Sequence, residues 1–541
     1  MAPQLLTLLL STLPLIALAN PTPRQLERPT VIVDSGPIVG TQTSLPDSPN
    51  PVVNKFLGIR YAATPPRFSP PVSPEPWEEP VDAVEYLPTC PQQFSRNPEA
   101  TRRWFNTPPP PESEDCLGLN VWAPAPVSSD GGWHDWQGKE EKGKAVMFWL
   151  FGGGLQFGSG SNRAYDGASF AANQDVVLVT INYRTNIFGF PNIPGIAPGD
   201  QNLGFLDQRL ALDWVQRNIA KFGGDPNRVT IFGQSAGAAS VDALVTSPPE
   251  PVPFHAAIYM SGQISLRTAN PSPYAGWIET VNLTGCAGAD DEIACVSAVS
   301  TQELEELISV NAVPFSPIPD NITLSSTTRE DRLKSTTENS EIARVPVLGG
   351  NTAEEGRTYG LAFNDTRVFA AATFPRATPE QIETLLDTFA IGTPGIETVF
   401  DQVSDIITHQ NFQCTYAILA QEIKDVGIPS WRYYWNASFA NLQLFPGSGV
   451  YHASDIQPVF GTVQANSTEF EFELSDFMQS TWARFAKDPY GGPGWDQVPV
   501  VAALGGGVRY EEGPQTGELI SLTTSDNVDA KCAAIIPLYG S

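Results

Sequence analysis

The segment Gly233-Gln234-Ser235-Ala236-Gly237 sets a serine hydroxyl at the centre of a G-x-S-x-G pattern. An apolar run, 228–232, precedes it, and a small-residue segment able to open a helix follows. A nucleophile elbow needs that context. A sharp strand-to-helix turn throws the hydroxyl out of the sheet edge, and side chains at 233 and 237 would strike the neighbouring strand and helix. The chemistry would be attack on an electrophilic carbonyl. Without partners the pentapeptide is only a glycine-lined turn, because a serine hydroxyl is a poor nucleophile until a base takes its proton.

The chain has four histidines, so the search for that base is short. His134 lies in a Trp- and charge-rich loop, GGWHDWQGKEE, and His255 at the edge of an apolar strand, where a structural role fits. His409 falls in an expected helix near a cysteine. His452, in SGVYHASDIQPVFG, follows the serine in the order the elbow expects and lies in a loop that can hold an imidazole over a sheet edge. The acid that orients the ring must come between them. VPVLGGNTAEEG, 345–356, supplies a strand, a glycine turn and two adjacent carboxyls, Glu354 and Glu355, either of which could serve. Three glycines in FGGGLQFGSG, 151–160, follow an apolar run and would let backbone N–H groups approach a developing oxyanion. They do not match the spacing of a phosphate-binding loop, and metal-ligand spacings are lacking, so neither a metal nor another cofactor is expected.

The elements that must carry these residues alternate. GKAVMFWLF (143–151) and DVVLVTINY (175–183) are near-continuous apolar runs, as strands buried on both faces should be. FLDQRLALDWVQRNIAKFG (205–223) has helical spacing and ends in glycines, and RVTIF (228–232) is the next strand. Strand, helix, strand is the unit of a parallel α/β sheet. VVNKFLGIRYA (52–62) reads as a strand pair, 63–80 as proline-rich loop, and RVPVLGGN (344–351) as a strand and turn. Helices are expected at 301–310, 379–390 and 472–489. CPQQFSRNPEATRRWFNTPPPPESEDC (90–116) is too polar to bury a core and reads as a surface loop or lid.

With 31 basic and 59 acidic residues the net charge is −28, which repels nucleic acid and anionic lipid. Residues 1–19 carry an apolar stretch ending in Ala17-Leu18-Ala19, the pattern of a cleaved secretory signal. No later run is long enough to span a membrane. Residues 20–50 read as a proline-rich lead-in and 51–541 as one catalytic domain. Six cysteines in an exported chain suit three disulfides, and sequons at Asn282, Asn321, Asn364, Asn436 and Asn466 are glycosylation candidates.

FLGIRYA, SEDCLGLNVWAP, the FGGG turn, INYRTNIFGF, NLGFLDQRLALDWVQRNIAKFGGDPNRVTIFGQSAGAAS, GGNTAEEG and the loop around His452 together resemble the type-B carboxylesterase/lipase family, from about Val52 to the C-terminus. The resemblance implies an α/β-hydrolase fold with a mostly parallel central sheet flanked by helices. It matches Ser235 to the nucleophile, Glu355 rather than Glu354 to the acid, His452 to the base, and Gly153, Gly154 and Ala236 to the oxyanion donors. It pairs Cys90 with Cys116, Cys286 with Cys295 and Cys414 with Cys532, and Arg67 with Glu114 and Arg184 with Asp207. This sequence departs from the family at Phe151, where His or Tyr is common, at Leu155, where Phe is usual, in a shortened loop at Pro65–Arg67, and at Gln234, where Glu is usual.

The expectation is a secreted, extracellular serine hydrolase that cleaves small-molecule or lipid esters through an acyl-enzyme. Neutral esters are favoured, because Gln234 brings no negative charge to the site. The family also holds non-catalytic adhesion proteins, from which the complete Ser, Glu, His set separates this chain. Trp104, inside the 90–116 loop, is read either as a lid aromatic packed on the body or as a cation-binding ring of the cholinesterase kind.

Overall fold

The apolar runs become neighbours in one sheet. The computed structural model describes residues 28–95, 98–125, 143–266, 272–510 and 517–539. The expected signal segment and His134 lie outside them.

Eleven strands lie side by side in the order β14-β13-β12-β11-β10-β9-β7-β8-β6-β4-β3. They are β3 (Thr41–Ser44), β4 (Val52–Arg60), β6 (Gly118–Pro124), β7 (Lys144–Leu150), β8 (Val177–Ile181), β9 (Gly224–Gln234), β10 (Ala256–Met260), β11 (Val347–Thr352), β12 (Ser430–Trp435), β13 (Val500–Leu504) and β14 (Ile520–Thr524). The stretch from β8 to β13 is parallel throughout, with antiparallel strands at both ends. Every residue of β8, β10 and β11 is buried, as both-face coverage by helices requires. A smaller sheet holds β1 (Thr30–Val33), β2 (Gly36–Val39) and β5 (Val81–Asp82).

Connectivity selects where a site can form. The chain runs from β7 sideways to β8, then jumps back across β7 to β9. The carboxyl ends of β7 and β9 therefore flank a topological switch point, where an open parallel sheet leaves a crevice. The glycine turn follows β7 and Ser235 follows β9.

Several expected elements shift. In place of the strand pair expected over 52–62 there is one strand, Val52–Arg60, with a register break between Phe56 and Ile59 against β6. The apolar residues serve one continuous pairing, and the break absorbs the twist. The strand expected at 344–351 is Val347–Thr352 and keeps Gly349 and Gly350 inside it. A Cβ at Gly349 would meet the Tyr416 hydroxyl and one at Gly350 the Tyr433 backbone, so these glycines make room for neighbours and do not turn the chain. Residues 30–44, placed in the lead-in, form β1 to β3, and β3 extends the main sheet. Proline density hid them.

The disulfide pairings are Cys90–Cys116, Cys286–Cys295 and Cys414–Cys532. The base of the 90–116 loop is not surface: Cys90, Gln92, Gln93 and Phe94 are buried. Gln93 Nε2 donates to the carbonyls of Ile308 (2.9 Å) and Val313 (2.8 Å), and Gln92 Oε1 accepts from the Gly158 N–H at 2.9 Å. Amide side chains satisfy backbone groups that would otherwise forbid burial, so polar composition misled here. A helix, Pro98–Phe105, forms the outer part of the loop.

Arg67 pairs with Glu114, its Nε donating at 3.1 Å. Arg184 and Asp207 pair in the interior: Nη2 and Nε lie 2.7 and 2.9 Å from the carboxylate, which also accepts the Arg184 N–H at 3.0 Å. Removing one partner strands the other charge. Asp207→Ala is expected to cost about 3–5 kcal/mol, read from denaturant midpoints, whereas a matched apolar double replacement should cost far less.

Candidate active site

Ser235 joins β9 to a helix, Ala236–Thr246, in a left-handed conformation with φ 58° and ψ −120°. A non-glycine residue holds such angles only where its surroundings fix it. They do so here. The Ser235 N–H donates to the Met260 carbonyl at 2.8 Å and its carbonyl accepts from Ala239 at 2.9 Å. A Cβ at Gly237 would fall 1.9 Å from the Leu150 carbonyl, and one at Gly233 2.5 Å from Gly237 backbone carbon. Helix and strand approach too closely for any side chain at either end of the pentapeptide.

Glu355 follows β11 in a turn. Its Oε1 accepts from the Thr352 N–H at 2.7 Å, and its Oε2 lies 2.5 Å from His452 Nδ1. It is fully buried, and His452 nearly so, at 0 % and 5 % exposure. Glu354 points elsewhere, 3.1 Å from Arg357, and accepts the Val450 N–H at 2.7 Å. Two adjacent carboxyls thus divide: Glu355 takes the imidazole and Glu354 anchors the loop that carries it. His452 reaches the site from the stretch between β12 and the helix Ile456–Phe460. Its Nε2 is 3.2 Å from Gln234 Nε2, so the ring edge lies against the residue just before Ser235.

The glycine turn lies beside them. Gly153 and Gly154 have φ of 114° and 66°. A Cβ at Gly153 would strike the Phe157 carbonyl, while one at Gly154 would meet nothing within 4 Å. Among the described residues neither N–H donates to a backbone carbonyl. Ala236 occupies the first turn of its helix, where an N–H has no intrahelical partner.

Three neighbours of the imidazole escaped the sequence reading. Phe412 lies 4.7 Å and Tyr359 5.6 Å from the ring, centroid to centroid. Phe412 sits in a wide π-type turn, His409–Gln413, that helical periodicity does not reveal. Asp455 is wholly buried and accepts from the Tyr433 hydroxyl at 3.1 Å. Burial pushes this carboxyl up to about 7, and the nearby charge of Glu355 adds to the rise. The only sequence signal was its place three residues after His452.

The other two histidines among the described residues are held away from this site: His255 Nδ1 meets the Val229 carbonyl at 2.9 Å, and His409 pairs with Asp405 at 3.0 Å. Trp104 packs on Phe445, 5.2 Å between centroids. Asn282, Asn321, Asn364 and Asn466 are exposed, while Asn436 is half-buried with its Oδ1 held by Arg509 at 2.7 Å. No helix among the described residues is long and apolar enough to cross a membrane.

A mostly parallel sheet with a strand–serine–helix elbow at its switch point defines an α/β-hydrolase. The chain belongs to the carboxylesterase family, whose model, described as "Carboxylesterase family", matches residues 27–499. It is a carboxylic ester hydrolase. It is 29% identical to "Secreted lipase 5" of Gibberella zeae over 97% of this chain and 96% of that relative. It is 31% identical to an acetylcholinesterase of Bungarus fasciatus over 80% of this chain and 75% of the relative. A cholinesterase of Mus musculus is 29% identical over 82% and 76%.

Proposed function

We propose that the enzyme is secreted and hydrolyses neutral carboxylic esters through Ser235, His452 and Glu355. The observation that carries the reading is the 2.5 Å contact between His452 Nδ1 and Glu355 Oε2, with the opposite edge of the ring beside the Ser235 elbow. Nδ1–H donates to Glu355, which leaves Nε2 unprotonated and able to act as a base. Nε2 takes the Ser235 proton as Oγ bonds to the ester carbonyl carbon. The N–H groups of Gly153, Gly154 and Ala236 hold the oxyanion. The C–O bond to the alcohol breaks, and Nε2–H delivers its proton to the departing oxygen. Water then repeats the sequence on the acyl-enzyme and frees the acid.

The substrate class is read from the aromatic rings beside the glycine turn. Phe157, next to the glycine turn, stacks on Phe94 at 4.9 Å and lies 6.4 Å from Phe105. Trp104 continues the series, 6.3 Å from Phe105 and 5.2 Å from Phe445, seven residues before His452. This aromatic band bridges the oxyanion turn and the histidine loop and favours apolar acyl or alkyl groups. Gln234 adds no charge to attract a cation. Secretion rests on the 1–19 segment, the three disulfides and the similarity to a secreted lipase.

A fluorophosphonate probe with peptide mapping tests the nucleophile, and a panel of p-nitrophenyl esters of increasing acyl length, with a choline ester included, tests the substrate. Labelling at Ser235 and higher kcat/KM on neutral esters are expected. Absence of label at Ser235 would overturn the mechanism, and preference for the choline ester would overturn the substrate class.

A further inference from the structure

In the folded enzyme the catalytic edge of the imidazole is already engaged, and by an amide. Gln234 is buried, 3 % exposed, and its Nε2 stands 3.2 Å from His452 Nε2. Because Glu355 holds Nδ1–H, Nε2 carries a lone pair, and the amide N–H donates into it. Among the described residues Ser235 Oγ makes no hydrogen bond to the ring. Gly152 provides the space: a Cβ there would lie 2.8 Å from Gln234 Oε1 and 3.0 Å from Ser235 Cβ.

We propose that Gln234 is a positioning residue for ester hydrolysis: its amide seats the Nε2 edge of His452 beside Ser235 and favours the neutral ring, which is the base. The inference rests on the Ser235–His452–Glu355 assignment and deepens it. A donor to the neutral imidazole disfavours protonation, whereas an acceptor favours it. The carboxamide is suited to both halves of the cycle. Its N–H caps the lone pair at rest, and it yields that lone pair to Ser235 Oγ–H when the ester carbonyl is in place. While the ring carries the second proton, the amide N–H facing Nε2 cannot accept it, whereas a carboxylate there would, so the proton passes to the leaving oxygen. The other titratable groups facing the ring are Glu355 on Nδ1, Asp455 from its own loop with Tyr433 behind it, and Tyr359 from the short helix Arg357–Gly360 that follows Glu355. Gln234 brings the one neutral amide to Nε2, the edge that meets the serine.

The test is the pH dependence of kcat/KM on a p-nitrophenyl ester, with fluorophosphonate labelling of Ser235 in each protein. In Gln234→Glu a carboxylate accepts from Nε2–H and stabilises the imidazolium. The midpoint of the acid limb should rise by about 1 unit, and kcat at the low-pH end should fall about tenfold with little change in KM. Gln234→Met keeps the length and burial without the donor. Its midpoint should rise by a smaller amount, and kcat on the alkaline plateau should fall severalfold as the ring loses its seat. A purely structural role for residue 234 changes melting temperature or total active sites but leaves the midpoint in place. Acid limbs that superimpose on wild type in a folded, labelled Gln234→Met or Gln234→Glu enzyme would overturn the proposal while leaving the triad standing. A wild-type enzyme that does not label at Ser235 removes the triad and this inference with it.

Discussion

Ser235→Ala is expected to lower kcat/KM on a p-nitrophenyl ester by about 10⁴-fold or more while leaving the melting temperature unchanged. The loss is large because the acyl-enzyme can no longer form, and no neighbouring side chain replaces the hydroxyl. Thermal stability is spared because Oγ makes no hydrogen bond among the described residues, and the backbone contacts that impose the φ of 58° remain in the variant. A residual rate above buffer should survive, because Gly153, Gly154 and Ala236 still offer N–H donors to an ester attacked by water. Wild-type-like turnover in a folded Ser235→Ala enzyme would refute the nucleophile assignment.

Legibility in the sequence follows chain order. The buried parallel strands β7, β8 and β9 and the elbow between β9 and its helix are local, and apolar runs with glycine punctuation reveal them. Ser235 and Glu355 sit just past β9 and β11, and His452 lies in the loop between β12 and the helix Ile456–Phe460, so their types and order also show. What stays hidden is set by contacts between distant segments. Gln234 reads locally as a missing charge, yet its amide lies on an imidazole 218 residues away. Phe412 reaches His452 from a π-type turn that helical periodicity does not reveal. The base of the 90–116 loop reads as solvent-loving, because the carbonyls that Gln93 satisfies and the N–H that Gln92 accepts from come from elsewhere in the chain. The choice between Glu354 and Glu355 is of the same kind. Residue type treats them alike; the family resemblance picks Glu355, and the turn after Thr352 brings that carboxyl to His452.

That pair supplies the second large effect. Glu355→Gln should lower kcat by about 10⁴-fold at neutral pH, and Glu354→Gln by less than about tenfold. Glu355 accepts twice, from the Thr352 N–H at 2.7 Å and from His452 Nδ1 at 2.5 Å. A primary amide has one oxygen, so it cannot accept from both. If its oxygen stays on Thr352, its NH₂ faces Nδ1, and the ring answers by moving its proton to Nε2. The lone pair that must receive the Ser235 proton is then gone. If the oxygen instead faces Nδ1, an NH₂ meets the Thr352 N–H, and the buried turn after β11 loses a hydrogen bond at a site without solvent. Either arrangement removes a working base, through the tautomer in one case and the position of the loop in the other. Glu354 meets Arg357, Arg509 and the Val450 N–H, none of them among the reacting atoms, so its amide retains one acceptor for Val450. Kinetics of the two variants, each with its rate of fluorophosphonate labelling, decide the assignment. A greater loss in Glu354→Gln than in Glu355→Gln would reverse the roles of the two carboxyls.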